Sequence, residues 1–274
     1  MLIKEYRLLM PLRVEEYFIA QLYMVAKASS EETGRKAGEG IEIVKNEPYE
    51  ENDQGMPPGQ YTEKIFHLKS RLPKFVRMFL PEDAMKIYEY SWNAYPRCKT
   101  VYRNPWLGDT FSLVVDSLHV QDKGTLENAL GLTEDELRKR KVEFLNIADD
   151  EVKMVKGEDP TTFHSEKTGR GPLAPDWYKN TEPVMCCYKV CKLQFKKWGL
   201  QTKVEQWGQY YGLRNTFIKY HRKLFCWIDE WYGLTVEDIR RMEDETQKLT
   251  KEKLEKSKWT TASNDSESFE EEYE

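Results

Sequence analysis

One short run of this chain limits what it can build. After the turn Pro57-Pro58-Gly59 comes Gln60-Tyr61-Thr62-Glu63-Lys64-Ile65-Phe66-His67-Leu68. It reads as a strand, on which alternate side chains share a face, so Thr62, Lys64 and Phe66 point the same way. If that face is interior, a cation and a hydroxyl are buried beside an aromatic ring. A buried ammonium is costly unless it is paired. An inward Lys64 therefore needs an anionic partner, either a carboxylate of the chain or a ligand group such as a phosphate. The other placement, on the solvent face of an edge strand, needs nothing.

The rest of the chain mixes strand and helix periods. Residues 2–10 predict a first strand, and Val14 to Ala28 an amphipathic helix with Val14, Tyr17, Phe18, Leu22 and Val25 near one face. Gln21 borders that face; if buried, its amide needs partners. Further strands are expected at 38–49, 60–68, 87–93, 98–103, 110–119, 141–148 and 186–197. Short helices are expected near 125–131 and 133–140, with 149–183 mostly irregular. Lys203 to Trp231 reads as one long amphipathic helix despite Gly208 and Gly212. Thr235 and Asp238 form a capping box that opens a charged helix to about Lys256. The acidic, Ser-rich stretch 257–274 reads as a disordered tail. With no internal repeat and no clear linker, the order predicts one α+β domain over 1–256. Between Leu72 and Pro81 lies an apolar segment fenced by prolines. It is either a packed connector or a mobile lid.

Composition excludes several function classes. Net charge is −5 with interspersed basic residues, which argues against a nucleic-acid binder. Five cysteines in no paired spacing argue against a disulfide framework or a structural metal, and fit a reducing compartment. Charged residues in the first eleven positions do not suit a signal peptide, and no apolar run reaches the roughly 20 residues of a membrane span. Aromatic content of 13% suits a core of polar-tipped rings, a cavity wall or a membrane surface. Enzyme cues are missing. There is no phosphate-cradling glycine loop and no nucleophile elbow, and His67, His119, His164 and His221 are scattered. Gly169-Arg170-Gly171 suits either an anion-binding turn or a plain one.

Six segments carry a specific likeness. They are Asn46-Glu47-Pro48-Tyr49, Gly59-Gln60-Tyr61-Thr62, Trp92-Asn93-Ala94-Tyr95-Pro96, Lys167-Thr168-Gly169-Arg170-Gly171-Pro172-Leu173, Trp198-Gly199-Leu200-Gln201 and Asp238-Ile239-Arg240-Arg241-Met242-Glu243. In this order and spacing the chain, from Met1 to about Leu254, resembles the small single-domain cytosolic phosphatidylinositol transfer proteins. The resemblance implies a START-like fold, a curved, mostly antiparallel sheet with long helices around one phospholipid. It also implies a monomer that exchanges phosphatidylinositol and phosphatidylcholine between membranes, in the cytoplasm and transiently at membrane surfaces. No cofactor, metal or catalytic residue is expected. The alternatives are a phosphatidic acid carrier, which would not need Asn93 or Glu243, and an interaction module that keeps the fold without transfer.

Carried over position by position, inositol head-group contacts fall on Thr62, Lys64, Asn93 and Glu243, with Glu89 matching a further one. Gln21, Cys98, Thr100, Ser117 and Lys189 match positions along the bound phospholipid, Ser117 standing where the family has Thr. On this resemblance Lys64 faces inward. Inositol hydroxyls both donate and accept, which suits a set of amide, hydroxyl and carboxylate partners. Each methylene left in water costs about 0.8 kcal/mol, so a carrier must enclose both acyl chains. The segment 72–81 is then the lid, with Phe75, Val76, Met78 and Phe79 as its apolar residues. The family's Trp-Trp pair for membrane docking reads Lys197-Trp198 here, so one aromatic anchor is a cation, for which Trp106 or Trp207 would compensate. Ser165 matches a position of phosphorylation.

Overall fold

The computed structural model describes residues 1–32, 40–50, 52–68, 72, 74–78, 81, 84–249, 251 and 252. The expected tail from 257, the end of the last helix near Lys256 and the lid residue Phe79 lie outside the described residues, and Phe75 is described in its backbone alone.

One eight-stranded sheet runs through the molecule in the order β2-β3-β4-β5-β6-β8-β1-β7. Its strands are β1 (Leu2–Met10), β2 (Gly40–Tyr49), β3 (Gly59–His67), β4 (Lys86–Ala94), β5 (Arg97–Arg103), β6 (Phe111–Val120), β7 (Lys141–Leu145) and β8 (Met185–Phe195). All neighbours are antiparallel except β1 and β7. Helix α1 (Val14–Glu32) packs on one face with α6 (Asn215–Cys226), and α2 (Lys74–Arg77), α3 (Glu134–Lys139), α4 (Trp177–Asn180), α5 (Gln201–Trp207) and α7 (Ile228–Trp231) complete the α+β architecture. A final helix, α8, covers 236–249. It opens with the expected box: Thr235 N–H donates to Asp238 Oδ2 at 2.8 Å and Asp238 N–H returns to Thr235 Oγ1 at 3.2 Å.

Burial is unequal across the sheet. On β1 and β8, Ile3, Tyr6, Leu8, Leu9, Met10 and Met185 through Tyr188 are all buried, on both faces. On β3 and β4 the buried residues are Lys64 and Glu89. The β8-β1 half is thus packed core, and the β2-to-β5 half is a half-buried wall with polar side chains.

Several expectations need correction. The stretch 125–131 is turns, not helix, because Asn128 closes a loop by bonding both the N–H and the C=O of Leu132 (2.8 and 3.0 Å). The strand expected to 148 ends at Leu145, where the Asn146 side chain turns the chain by accepting from Ala148 N–H at 3.1 Å. Helix α1 runs one turn past Ala28, and Val25 is 40% exposed, off its buried face. The helix expected over 203–231 is not continuous. Gly208–Arg214 is a π-helix between α5 and α6, and Trp227 breaks the chain before α7. A Cβ on Gly208 would lie 2.7 Å from Leu193 Cδ2, so glycine lets this segment press onto β8. The wider turn faces Gln209 inward, where Nε2 donates to Cys191 O at 3.0 Å and the Tyr6 hydroxyl donates to Gln209 O at 2.8 Å. It leaves Tyr211 59% exposed.

Candidate functional site

Strand register assembles the site. Residues paired across neighbouring strands share a face, and three successive rows run across the wall. The first is Gln60, Asn93, Cys98, Ser117, Lys189 and Tyr6. The second is Asn46, Thr62, Ser91, Thr100, Val115 and Cys191, and the third Ile43, Lys64, Glu89, Tyr102, Leu113 and Leu193. Eight of the residues named from sequence therefore lie on one face of one sheet: Thr62, Lys64, Glu89, Asn93, Cys98, Thr100, Ser117 and Lys189. Gln21 joins them from α1 and Glu243 from α8.

Lys64 is inward. It is 7% exposed, and its Nζ stands 3.8 Å from Oε1 of Glu89, itself 8% exposed. That separation lies beyond direct hydrogen-bond range, so the charges offset one another while the ammonium keeps donors for a third group. Tyr102, opposite Glu89, has a phenol pushed well up by burial and then by that carboxylate. It is a neutral donor at physiological pH.

Glu243 is brought in by a relay. Gln60 Nε2 donates to Asn46 Oδ1 at 2.7 Å, Asn46 Nδ2 donates to Glu243 Oε2 at 3.0 Å, and Arg240 NH1 donates to the same oxygen at 2.5 Å. This fixes α8 against the edge of the sheet beside Thr62, whose strand partner is Asn46. Sequence reasoning did not give Asn46, Gln60 or Tyr102 a role. The irregularity between Ile43 and Lys45 shifts the register of β2, so spacing alone does not bring Asn46 opposite Thr62.

Farther along the first row, the Cys98 thiol donates to Asn93 Oδ1 at 3.0 Å. Burial pushes this thiol up to about 11, against the opposing pull of Lys189 and Gln21. It is no nucleophile at neutral pH. In the second row Ser91 and Thr100 share a hydroxyl bond of 3.0 Å. Lys189, half-buried, has its Nζ 5.3 Å from the Phe217 ring centroid, and no described carboxylate pairs with it. Buried Gln21 has its Nε2 without a hydrogen-bond partner. An ammonium and an amide with donors to spare form a place for an anion or an ester oxygen.

Histidine was not singled out by sequence, and the structure buries two of the four, His119 on β6 and His221 on α6. His119 lies on the same face as Ser117, 2% exposed, its ring against Tyr17 and Tyr95 and both ring nitrogens without partners. His221 Nε2 lies 2.9 Å from the Tyr17 hydroxyl and Nδ1 lies 2.7 Å from Phe217 O. Burial, then Lys189, lowers His221 to about 3 and pushes His119 well down. Both are neutral at physiological pH.

The remaining residues fall elsewhere. In the segment expected as a lid, α2 is one short turn, Val76 is half-buried and Met78 is 81% exposed. Trp198 is fully exposed and Lys197 sits beside it. Ser165 is 0% exposed and donates its hydroxyl to Asp229 Oδ1, while the amides of Glu166 and Lys167 bond the same carboxylate at 3.0 and 3.1 Å. The anion bound in this glycine-containing turn is therefore Asp229. Arg170 turns away to grip Glu16 through both carboxylate oxygens at 2.9 and 3.0 Å.

A family model described as phosphatidylinositol transfer protein matches residues 1–248. The chain belongs to this family. Phosphatidylinositol transfer protein 2 of Dictyostelium discoideum is 54% identical over 260 residues, covering 94% of this chain and 98% of that relative. The phosphatidylinositol transfer protein beta isoforms of mouse and human are 50% and 48% identical over 256 residues, 90% of this chain and 92% of each relative. The family's description names transfer, not catalysis. Among the described residues no helix is long and apolar enough to cross a membrane.

Proposed function

We propose that this protein encloses one phospholipid and carries phosphatidylinositol and phosphatidylcholine between membranes, supplying phosphatidylinositol for phosphoinositide metabolism without covalent chemistry. The observation that carries the reading is the polar wall itself: Thr62, Lys64, Glu89, Asn93 and Glu243 converge where the core gives way to half-buried polar strands, in a chain of the transfer family. A polyhydroxyl head group matches this set. Glu243 and Glu89 accept, Lys64 donates, and Asn93 and Thr62 do both. Lys189, Gln21, Thr100 and Ser117 then face the phosphate and glycerol. A wall built to bond hydroxyls discriminates against a head group without them, because its polar atoms would be left unpaired. Choline lipid shares the phosphate and acyl contacts only.

The protein works as a cytoplasmic monomer and meets membranes at their surface through Trp198 and Lys197. The 72–81 segment with exposed Met78 is the lid that opens there. Acyl methylenes at about 0.8 kcal/mol each keep the lipid enclosed in water. Native mass spectrometry of the purified full chain is the test. One inositol or choline phospholipid per protein supports the reading. Phosphatidic acid alone would make it a phosphatidic acid carrier, and a lipid-free protein that does not load from vesicles would leave an interaction module.

A further inference from the structure

We propose that Trp106 is a second membrane anchor beside Trp198, tied by Asn104 to the root of the lid segment, and that the surface they form docks on an anionic bilayer. The proposal rests on the carrier reading above and adds how the bilayer is gripped and how that grip reaches the lid.

Register puts the parts at one end of the sheet. His67 pairs with Lys86, Tyr88 with Arg103, Tyr102 with Leu113, and Phe111 with Phe195. The connections 68–85 and 104–110 and the chain after Phe195 therefore all leave the same edge. Each carries an exposed large apolar side chain: Met78 at 81%, Trp106 at 52% and Trp198 at 100%. Lys197 Nζ stands 5.5 Å from the Trp106 ring centroid, a cation–π contact that joins the two tryptophan loops. The backbone joins them too, Lys196 N–H donating to Thr110 O at 2.7 Å. Trp207, the other sequence candidate, is half-buried on α5.

The occupant is argued from charge and shape. Arg103, Lys196 and Lys203 are exposed around the tryptophans, Lys197 is half-buried between them, and Asp109 is the exposed acid of the same loop. Indole rings beside cations suit the interface of a bilayer with anionic head groups. The apolar residues are exposed beyond the ends of the strands, which suits insertion.

Asn104 supplies the coupling. It is 2% exposed, its Nδ2 donates to Ala84 O at 2.7 Å and Lys86 O at 2.9 Å, and its Oδ1 accepts from Leu107 N–H at 3.0 Å. One side chain thus bonds both the loop that carries Trp106 and the entry to β4, at Ala84 just before the strand and at Lys86, its first residue. A shift of Trp106 on embedding acts directly on residues 84–86.

The test uses the full chain and vesicles of phosphatidylcholine, alone or with phosphatidylserine, read by flotation and by hydrogen exchange. Wild type is expected to bind the anionic vesicles more tightly. Trp106→Ala and Trp198→Ala should each lose about tenfold in partitioning, from the indole area they withdraw, and Trp106→Phe should recover part of it. Vesicles should change exchange at residues 84–86 in wild type and not in Trp106→Ala. Wild-type partitioning by Trp106→Ala would overturn the proposal. So would equal binding to both vesicles, or no binding to either, which would assign the surface to a protein partner. Bound phospholipid measured on the same samples separates the readings: Trp106→Ala keeps its lipid, and a wild type without lipid sinks the carrier reading itself.

Discussion

Acidification should reveal the cost of keeping His221 neutral. Its Nε2 accepts from the Tyr17 hydroxyl of α1 and its Nδ1 faces Phe217 O, so the neutral ring satisfies both bonds. Tyr17 of α1, His119 of β6 and Lys189 of β8 are titratable neighbours, and Lys189 repels the imidazolium. Burial and that charge lower the ring from the usual 6.5 to about 3. A depressed pKa of a base means the unfolded chain binds the proton first. The stabilisation is complete above about pH 6.5 and is lost as pH falls toward about 3. Between pH 7 and pH 5 this group should cost about 2 kcal/mol, from 1.36 kcal/mol per pH unit over about 1.5 units. Urea unfolding of wild type and His221→Gln at both pH values measures it. The variant removes the titration and leaves every carboxylate in place, so wild type should lose about 2 kcal/mol more than the variant. Equal losses would show that His221 is not held neutral by the fold.

Three further outcomes follow from the same geometry. Gly59→Ala puts a Cβ 2.3 Å from Asn93 O, so β3 must move off β4 beside the residues proposed to hold the head group. Thermal unfolding should register a loss of about 2 kcal/mol or more, and inositol lipid binding should fall with it. Cys98, with its thiol held up to about 11, should react with N-ethylmaleimide on the order of 10²-fold more slowly than a free cysteine at pH 7.5, and its rate should keep climbing through pH 10. Stopped-flow labelling of a variant that keeps only this cysteine reads the rate. Ser165→Ala should cost about 1.5–3 kcal/mol through the lost bond to Asp229, and Ser165→Glu more, because it buries a second carboxylate there. Denaturant midpoints decide the order. The same burial means a kinase reaches Ser165 only when the 165–171 turn opens.

The legible parts of the sequence were those fixed by local period. Alternation placed β3, β5, β6 and β8 within a residue or two, and the Thr235–Asp238 box placed the start of α8. The features that escaped depend on distant contacts. The π-helix exists because Gly208 touches Leu193 and Gln209 finds Tyr6 and Cys191, none of which is near in sequence. Residues 125–131 look helical until the Asn128 side chain takes the Leu132 bonds. At the site, the residue types came from resemblance and their common face from register. The Asn46 relay needed the irregularity in β2, and the buried His119 and His221 gave no spacing signal at all. The burial of Ser165 gave no local signal either, because its partner Asp229 lies 64 residues away.

The central claim is that the wall of β3 and β4, closed by Glu243, selects an inositol head group. Vesicle-to-vesicle transfer of labelled phosphatidylinositol and phosphatidylcholine by wild type, Thr62→Ala, Asn93→Ala and Glu243→Ala tests it most directly. The account predicts that each variant loses inositol lipid transfer by about 5- to 150-fold, since one unpaired buried polar group costs about 1–3 kcal/mol, while choline lipid transfer persists. Equal loss of both lipids, or transfer of neither by wild type, would contradict it.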